Sequence, residues 1–145
     1  MYTIAQMEDA ILDALKADEI LSDLCRTIDS YNGEALEFAQ ELDQTVIALP
    51  AVLVLYTGSA FSEPANRSFD DEMNFLLLVA ASNLAGRKSA ARAAYEILEA
   101  VKDCLIDVNL DLDIEPLHPV GVDLVAVTKR TAVYGLNLKT SFSMS

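Results

Sequence analysis

Two neighbouring segments decide the fold: MNFLLLVAA at Met73–Ala81 and, after a short turn, RKSAARAAYEILEAVKDCLI at Arg87–Ile106. The first segment has the length of a strand, and its continuous apolar character is typical of a strand buried on both faces. The second repeats apolar residues at intervals of three and four, which predicts a helix with one buried stripe. This stripe consists of Ala90, Ala94, Ile97, Leu98, Val101 and Leu105. A strand that leads into a helix folded back over it predicts half of a small layer of sheet and helix.

The residues upstream of this unit predict two helices and one more strand. Thr3 is a suitable N-cap, and an apolar stripe at helical spacing predicts a first helix over residues 3–28. Weaker apolar spacing predicts a short second helix over residues 34–48. Pro50 then precedes the apolar run Ala51–Tyr56, which predicts a strand.

The C-terminal segment Val120–Phe142 predicts a hairpin, because apolar and polar residues alternate along its second strand. The order of elements is therefore α-α-β-β-α-β-β, which predicts an α+β fold. We expect a mostly antiparallel sheet of four strands, or slightly more, with the helices packed on one face. The chain of 145 residues suits a single domain, 1–145.

The bulk composition excludes several classes of protein. Apolar residues make up 52% of the chain, which is enough for a sizeable core. The apolar runs are far shorter than the roughly 18 residues that a membrane span needs, and the N-terminus lacks the features of a signal peptide. A net charge of −13 disfavours nucleic-acid binding, because phosphate contacts need basic side chains. We therefore expect no membrane partner and no tight grip on DNA.

The charge is distributed unevenly along the chain. Residues 1–48 hold eleven acidic residues against only Lys16 and Arg26. The basic residues concentrate further on, at Arg87, Lys88, Arg92, Lys129 and Arg130. An acidic region and a basic patch on the same chain allow copies to meet head to tail. The alternative is a solvated acidic surface that only maintains solubility.

Two further features suggest contact surfaces. Cations in the first turns of the long helix oppose its dipole, so we expect Arg87, Lys88 and Arg92 to face acidic groups, within the fold or on a neighbouring copy. Residues 57–72 predict a long polar connection between two strands, and such loops often bind a partner. The aromatic residues in this loop either pack back onto the core or contact a partner.

Metal and calcium chemistry is not supported by the motifs present. The segment Asp107-x-Asn109-x-Asp111 begins like a calcium loop, but Leu112 and His118 stand where such a loop needs glycine and glutamate. The single histidine excludes metal clusters with two or more histidines, and its place between prolines predicts a loop residue. We therefore predict an exposed acidic loop here and no metal site.

Nucleotide binding and nucleophilic catalysis also lack their motifs. Gly86-Arg87-Lys88-Ser89 resembles the end of a phosphate-binding loop, but Arg87 separates the glycine from the lysine and Ala81 replaces the earlier glycine. No serine or cysteine stands in a nucleophile-elbow pattern. The two cysteines, Cys25 and Cys104, are predicted to be buried, reduced thiols. We therefore predict no catalytic residue and no cofactor.

Three stretches of the chain, mostly apolar packing patterns, carry a resemblance to a known family. They are YNGE at Tyr31–Glu34 with LPAVLVLYTG at Leu49–Gly58, NL at Asn83–Leu84 with RAAYEILEAV at Arg92–Val101, and AVYGLNLKT at Ala132–Thr140. Together they resemble the Mu-like phage and prophage tail proteins, which are similar in fold to the tail terminator, or tail completion, proteins.

The resemblance implies a structural protein of the virion tail that is assembled in the cytoplasm of the bacterial host. Terminators form a six-membered ring that caps the last ring of the tail tube. The ring offers its other face to the head connector, and DNA passes through its bore without specific binding. The implied partners are further copies of the chain, the tail tube, the sheath and the head–tail connector, and no catalysis is implied.

The residues predicted for these contacts come from charge and loop length and not from family motifs. Arg87, Lys88 and Arg92 are predicted to contact a neighbouring subunit. The residues predicted to contact the tube or a neighbour are Phe61, Glu63, Arg67 and Phe69. Two other interpretations stay open: another neck or connector subunit of the particle, and a small ligand-binding or enzymatic α+β domain with a pocket under the 57–72 loop.

Overall fold

The computed structural model describes residues 2–33, 35–40, 47–62 and 70–143. Its helices are α1 (Ile4–Ala17), α2 (Glu19–Leu24), α3 (Ala35–Gln40) and α4 (Arg87–Leu105). Its strands are β1 (Thr27–Ser30), β2 (Ala51–Ser62), β3 (Asp70–Ser82), β4 (His118–Val127) and β5 (Thr131–Ser143). The predicted α+β class is confirmed.

The strands form one five-stranded sheet in the order β1-β2-β3-β5-β4. Three of the four pairings are antiparallel, as predicted, but β1 pairs with β2 in parallel, so the sheet is mixed. The long strands β3 and β5 pair with each other along their full lengths at the centre of the sheet. This order leaves β1 at one edge of the sheet and β4 at the other.

The single helix predicted over residues 3–28 is wrong in its C-terminal half. The Asp18 backbone N–H donates to the Leu15 carbonyl and closes α1, and its carboxylate accepts from the Leu21 backbone N–H at 3.1 Å and opens α2. Thr27–Ser30 then forms β1, with Ile28 opposite Val52. An apolar residue at Ile28 also fits a helical stripe, and pairing with β2 overrides that local pattern.

The polar connection predicted over residues 57–72 is shorter than expected. Strand β2 continues to Ser62 and β3 begins at Asp70, so both ends of the expected loop belong to the sheet. A register shift between Tyr56 and Gly58 lets β2 bend while it keeps pairing with β3. These polar residues form strand because β3 is paired on both sides there, with β2 and with β5.

Helices α1, α2 and α4 pack on one face of the sheet, here called the helix face. The predicted stripe of α4 is buried against β3 and β5, and α1 packs on β1 and β2. Alternate residues of β5, Tyr134, Leu136, Leu138 and Phe142, join this core. A capping box at Thr3 and Gln6 starts α1, as the sequence predicted for Thr3.

Helix α3 corrects the expectation that all helices lie on one face. Its Phe38 is 2% exposed and packs with Leu53, Leu78 and Val133 on the opposite face of the sheet. The rings of Phe38 and Tyr31 meet edge to face at 5.4 Å. Both faces of β2 and β3 are therefore covered, which explains why their sequences are continuously apolar.

Strand β4 lies beyond the helix layer. Helix α4 packs on β3 and β5, whereas α3 contacts β4 from the opposite face. On that face a Cβ at Gly135 would approach Leu76 Cδ1 to 2.9 Å and Val125 Cγ2 to 3.2 Å, so glycine allows the close packing of β3, β5 and β4. On the helix face the side chains of β4 remain exposed.

Candidate functional site

Five basic side chains gather where α4 begins. Arg87, Lys88 and Arg92 are exposed in the first turns of α4, and two more basic residues are exposed in the turn between β4 and β5. The Asn83 backbone N–H donates to the Arg130 carbonyl at 2.8 Å, which joins this turn to the start of the helix. We call this set the basic corner: Arg87, Lys88, Arg92, Lys129 and Arg130.

The basic corner has no acidic partner among residues 2–33, 35–40, 47–62 and 70–143. The ion pairs within that part of the chain are Glu99–Lys102 at 2.7 Å and Glu72–Lys139 at 4.0 Å. Gly86 is the N-cap of α4 and offers no side-chain hydrogen bond to the first turn. The first turns also carry cations, although the dipole of a helix favours anions at its N-terminus. Nothing in the described part of the chain offsets this unfavourable arrangement, and an external carboxylate surface would relieve it.

The opposite edge of the sheet is acidic. Its carboxylates lie on α1, α2 and β1 and are exposed except for the partly buried Glu8, with Lys16 and Arg26 as the bases of the same segment. Burial raises the pKa of Glu8, a Ser30 hydrogen bond partly lowers it, and the charges of Asp9 and Asp29 raise it further. We call this set the acidic edge: Glu8, Asp9, Asp13, Glu19, Asp23 and Asp29.

An apolar surface flanks the basic corner on the helix face of β4. Val122 stands opposite Leu136 and Leu124 opposite Tyr134, and cross-strand partners share a face. Tyr134 meets Tyr95 of α4 edge to face at 5.4 Å, and the two hydroxyls lie 3.3 Å apart. That hydrogen bond, and then burial, raises the pKa of Tyr134. We call this the strand-4 surface: Tyr95, Val120, Val122, Leu124 and Val127.

The predicted loop contacts fall partly outside the described residues. Phe61 lies in β2 opposite Asp71 and is 63% exposed, so its side chain is available to a partner. Glu63, Arg67 and Phe69 lie outside the described part of the chain. Their role in binding stays a prediction.

A groove lies at the end of the sheet where β5 finishes. It has a volume of about 810 Å³ and is lined by residues 106–107, 115–119 and 139–141 together with Glu72. Its polar residues Asp107, Glu115 and His118 are exposed, so the groove is open to solvent. Within the described ranges no three or more His, Cys, Asp or Glu side chains form a group that could hold a metal ion.

Both cysteines are free thiols, as the sequence predicted, although each is only partly buried. Burial raises the pKa of Cys25 to about 11. Burial and the Asp18 charge raise the pKa of Cys104, whose Sγ lies 3.4 Å from the Ala14 carbonyl oxygen. Both thiols therefore stay protonated near neutral pH, which makes them weak nucleophiles.

The comparison with known families defines the class of this protein. The pattern of the family described as Bacteriophage Mu, Gp37 matches residues 3–143. The chain therefore belongs to this phage family, and the resemblance noted from the sequence is confirmed.

One solved structure extends this result to the fold. It is a chain of the "Virion of native gene transfer agent (GTA) particle", with 15% sequence identity, a TM-score of 0.61 and coverage of 99% of both chains. The two proteins share a fold over almost their entire lengths. No individually curated protein sequence matches this chain significantly. In the described part of the chain, no helix combines the length and apolarity needed to cross a membrane.

The sequence predicted the basic residues but missed the strand-4 surface. Its signal was the alternation of Val120, Val122 and Leu124 with small or acidic residues, which predicts a strand with one apolar face. The alternation alone would suggest that the apolar face of β4 packs against the core. Only the strand order shows that this face lies beyond α4.

Proposed function

We propose that this chain is a structural protein of the phage particle, and specifically the tail terminator. Copies form a closed ring, with six members in the related terminators, that caps the last ring of the tail tube. The ring joins the tail to the head connector, and residues 1–145 act as one terminator-like domain. Family membership supports the phage assignment, and the two oppositely charged edges support the ring.

The observation that carries the proposal is the position of the two charged surfaces. The basic corner lies on the α4 and β4 side of the sheet, and the acidic edge lies on the α1 and β1 side. A contact between unlike surfaces of identical copies repeats around an axis and closes into a ring when the rotation permits. Arg87, Lys88 and Arg92 are the subunit contacts in this proposal.

The proposed mechanism is steric and involves no reaction. Binding of the ring to the tube end blocks the addition of further tube subunits, and the free face of the ring receives the head connector. Phe61, with Glu63, Arg67 and Phe69, contacts the tube or a neighbouring copy, and the sheath is a further partner. A net charge of −13 favours a bore that DNA crosses without binding to it.

Deletion of the gene from an inducible lysogen tests the proposal. We expect tails of uncontrolled length and DNA-filled heads without tails, both restored to normal by the wild-type gene in trans. Joined particles with tails of normal length would refute the terminator role.

Localisation of the protein in lysates of two other assembly mutants distinguishes the terminator from another neck subunit. In lysates of a mutant that makes no heads, antibody labelling should mark one end of the free tails. Label on the heads of a mutant that makes no tails, together with none on the free tails, would instead assign the chain to the head connector.

A further inference from the structure

The exposed apolar side chains of this protein are concentrated at one place. Nine large apolar side chains are exposed in the described part of the chain, and five of them form the strand-4 surface. The members of this surface come from α4 and β4, which are connected through β5: Tyr95 of α4 contacts Tyr134, and Tyr134 is the cross-strand partner of Leu124. A contiguous apolar patch with a charged rim is typical of a protein–protein interface.

The rim of this surface is basic. Lys88, Tyr95 and Lys102 are spaced seven residues apart, so two turns of α4 bring each of them to the same flank of the helix. Tyr95 on that flank contacts Tyr134 of β5, so the flank faces β4. Lys88 and Lys102 of α4 therefore lie along the apolar stripe of β4. Lys102 already pairs with Glu99 at 2.7 Å, so Lys88 is the cation that an acidic group on an apolar partner would complement.

The backbone of β4 is poorly suited to bind a partner as an added strand. Pro119 lacks an N–H donor, and the register with β5 shifts between Pro119 and Gly121 and again between Leu124 and Ala126. Bulges and prolines at a sheet edge disrupt regular pairing with another strand. The side chains of the strand-4 surface, and not its backbone hydrogen bonds, are therefore the binding groups.

The chain itself offers a matching surface on α2. Ile20 is 61% exposed there, next to Glu19 and three residues before Asp23, which is also exposed. An apolar side chain beside two carboxylates complements Tyr95 and Leu124 beside Lys88. No described base forms an ion pair with Glu19 or Asp23 within the chain.

We propose that the strand-4 surface binds α2 of a second copy of this chain, with Ile20 packed against Leu124 and Tyr95. Glu19 and Asp23 of one copy then face Lys88 of the next. This contact rests on the ring of the proposed function and names the surfaces that build it. It is heterologous, so each copy uses a different surface on each side.

Two single variants and their mixture test the contact. Leu124→Asp disables the strand-4 surface, and Ile20→Asp disables the α2 surface. We expect wild-type protein to form a closed oligomer in sedimentation velocity, and each variant alone to be monomeric. A one-to-one mixture should form a heterodimer and no larger species, because one intact surface of each kind remains.

Ile4→Asp is the matched control, since Ile4 is also an exposed apolar residue on a helix but belongs to neither surface. Far-UV circular dichroism and thermal unfolding should show that all three variants retain the fold. The control should sediment like the wild type.

Several outcomes would overturn the contact. An Ile20→Asp variant that still oligomerises would exclude α2, and a mixture that restores the full oligomer or stays monomeric would exclude a head-to-tail pair. Monomeric wild-type protein at every concentration would also overturn it. The deletion assay on tail length decides the terminator role separately, so the two failures can be distinguished.

Discussion

Replacement of Phe38 by alanine tests whether α3 is held on the second face of the sheet. Phe38 is 2% exposed and packs with Leu53, Leu78 and Val133. Loss of a buried phenylalanine ring costs about 3–5 kcal/mol through lost burial and the cavity that remains. The edge-to-face contact with Tyr31, worth about 0.5–1.5 kcal/mol, is lost with it.

Phe61→Ala is the matched control, because it makes the same chemical change at a side chain that is 63% exposed. Full burial of a phenylalanine contributes about 1.5–3 kcal/mol, so the partly buried Phe61 should cost roughly 0.5–1 kcal/mol. The difference between the two variants therefore isolates the burial of Phe38.

Urea unfolding followed by circular dichroism measures both changes at one protein concentration. We expect the Phe38→Ala transition to move to lower urea with an unchanged slope, and the Phe61→Ala transition to stay near the wild type. The melting temperature of Phe38→Ala should fall by roughly 10 °C or more. Equal losses for both variants would refute the packing of α3 on the sheet.

The further predictions concern three single side chains, Asp18, Cys25 and Arg87. Asp18→Ala should lower the free energy of unfolding by about 1 kcal/mol in urea titrations, because it removes the cap of α2, whereas Asp18→Asn should cost little. At pH 8 iodoacetamide should alkylate native Cys25 roughly a hundredfold more slowly than unfolded Cys25, because burial raises the pKa of Cys25 from 9.0 to about 11. Mass spectrometry measures both alkylation rates, and equal rates would contradict this prediction. The same shift predicts that stability decreases as pH rises from about 9 to about 11, since the unfolded thiol loses its proton first. Arg87→Glu should stabilise the monomer by about 0.3–1 kcal/mol, because a negative charge at the start of α4 interacts favourably with the helix dipole. The same variant should weaken self-association in sedimentation. A variant that loses both monomer stability and self-association would count against an external role for Arg87.

The elements with long, periodic sequences were predicted well. Arg87–Leu105 forms a helix with the expected buried stripe, and the segments predicted as strands form β3 and β5. The helix and β5 are predictable because their apolar positions repeat with the period of the element, and β3 because a continuous apolar run of strand length predicts a buried strand. Their burial then agrees with their local pattern.

The misassigned elements depend on contacts that no local pattern contains. Strand β1 has four residues, too few to show a period, and it forms because Thr27–Ser30 lies beside β2. Both strands of the β2–β3 hairpin extend through polar residues because β5 pairs with β3 as far as Asp70. The place of α3 on the second face likewise follows from Phe38, whose partners lie on β2, β3 and β5.

The candidate surfaces were likewise predictable from the sequence only in part. The charge of Arg87, Lys88 and Arg92 and their position near a helix start could be read from the sequence. Their lack of a described acidic partner, and the exposure of Val122 and Leu124 beside them, required the strand order. Edge position is a property of the whole sheet, so local sequence does not reveal it.

A cryo-electron microscopy reconstruction of the head-proximal end of isolated tails would test the central claim most directly. The account predicts a closed ring of this chain on the last tube layer, in which Leu124 of each copy lies against Ile20 of the next. A tail end without this chain, or a ring whose copies meet through other surfaces, would contradict it.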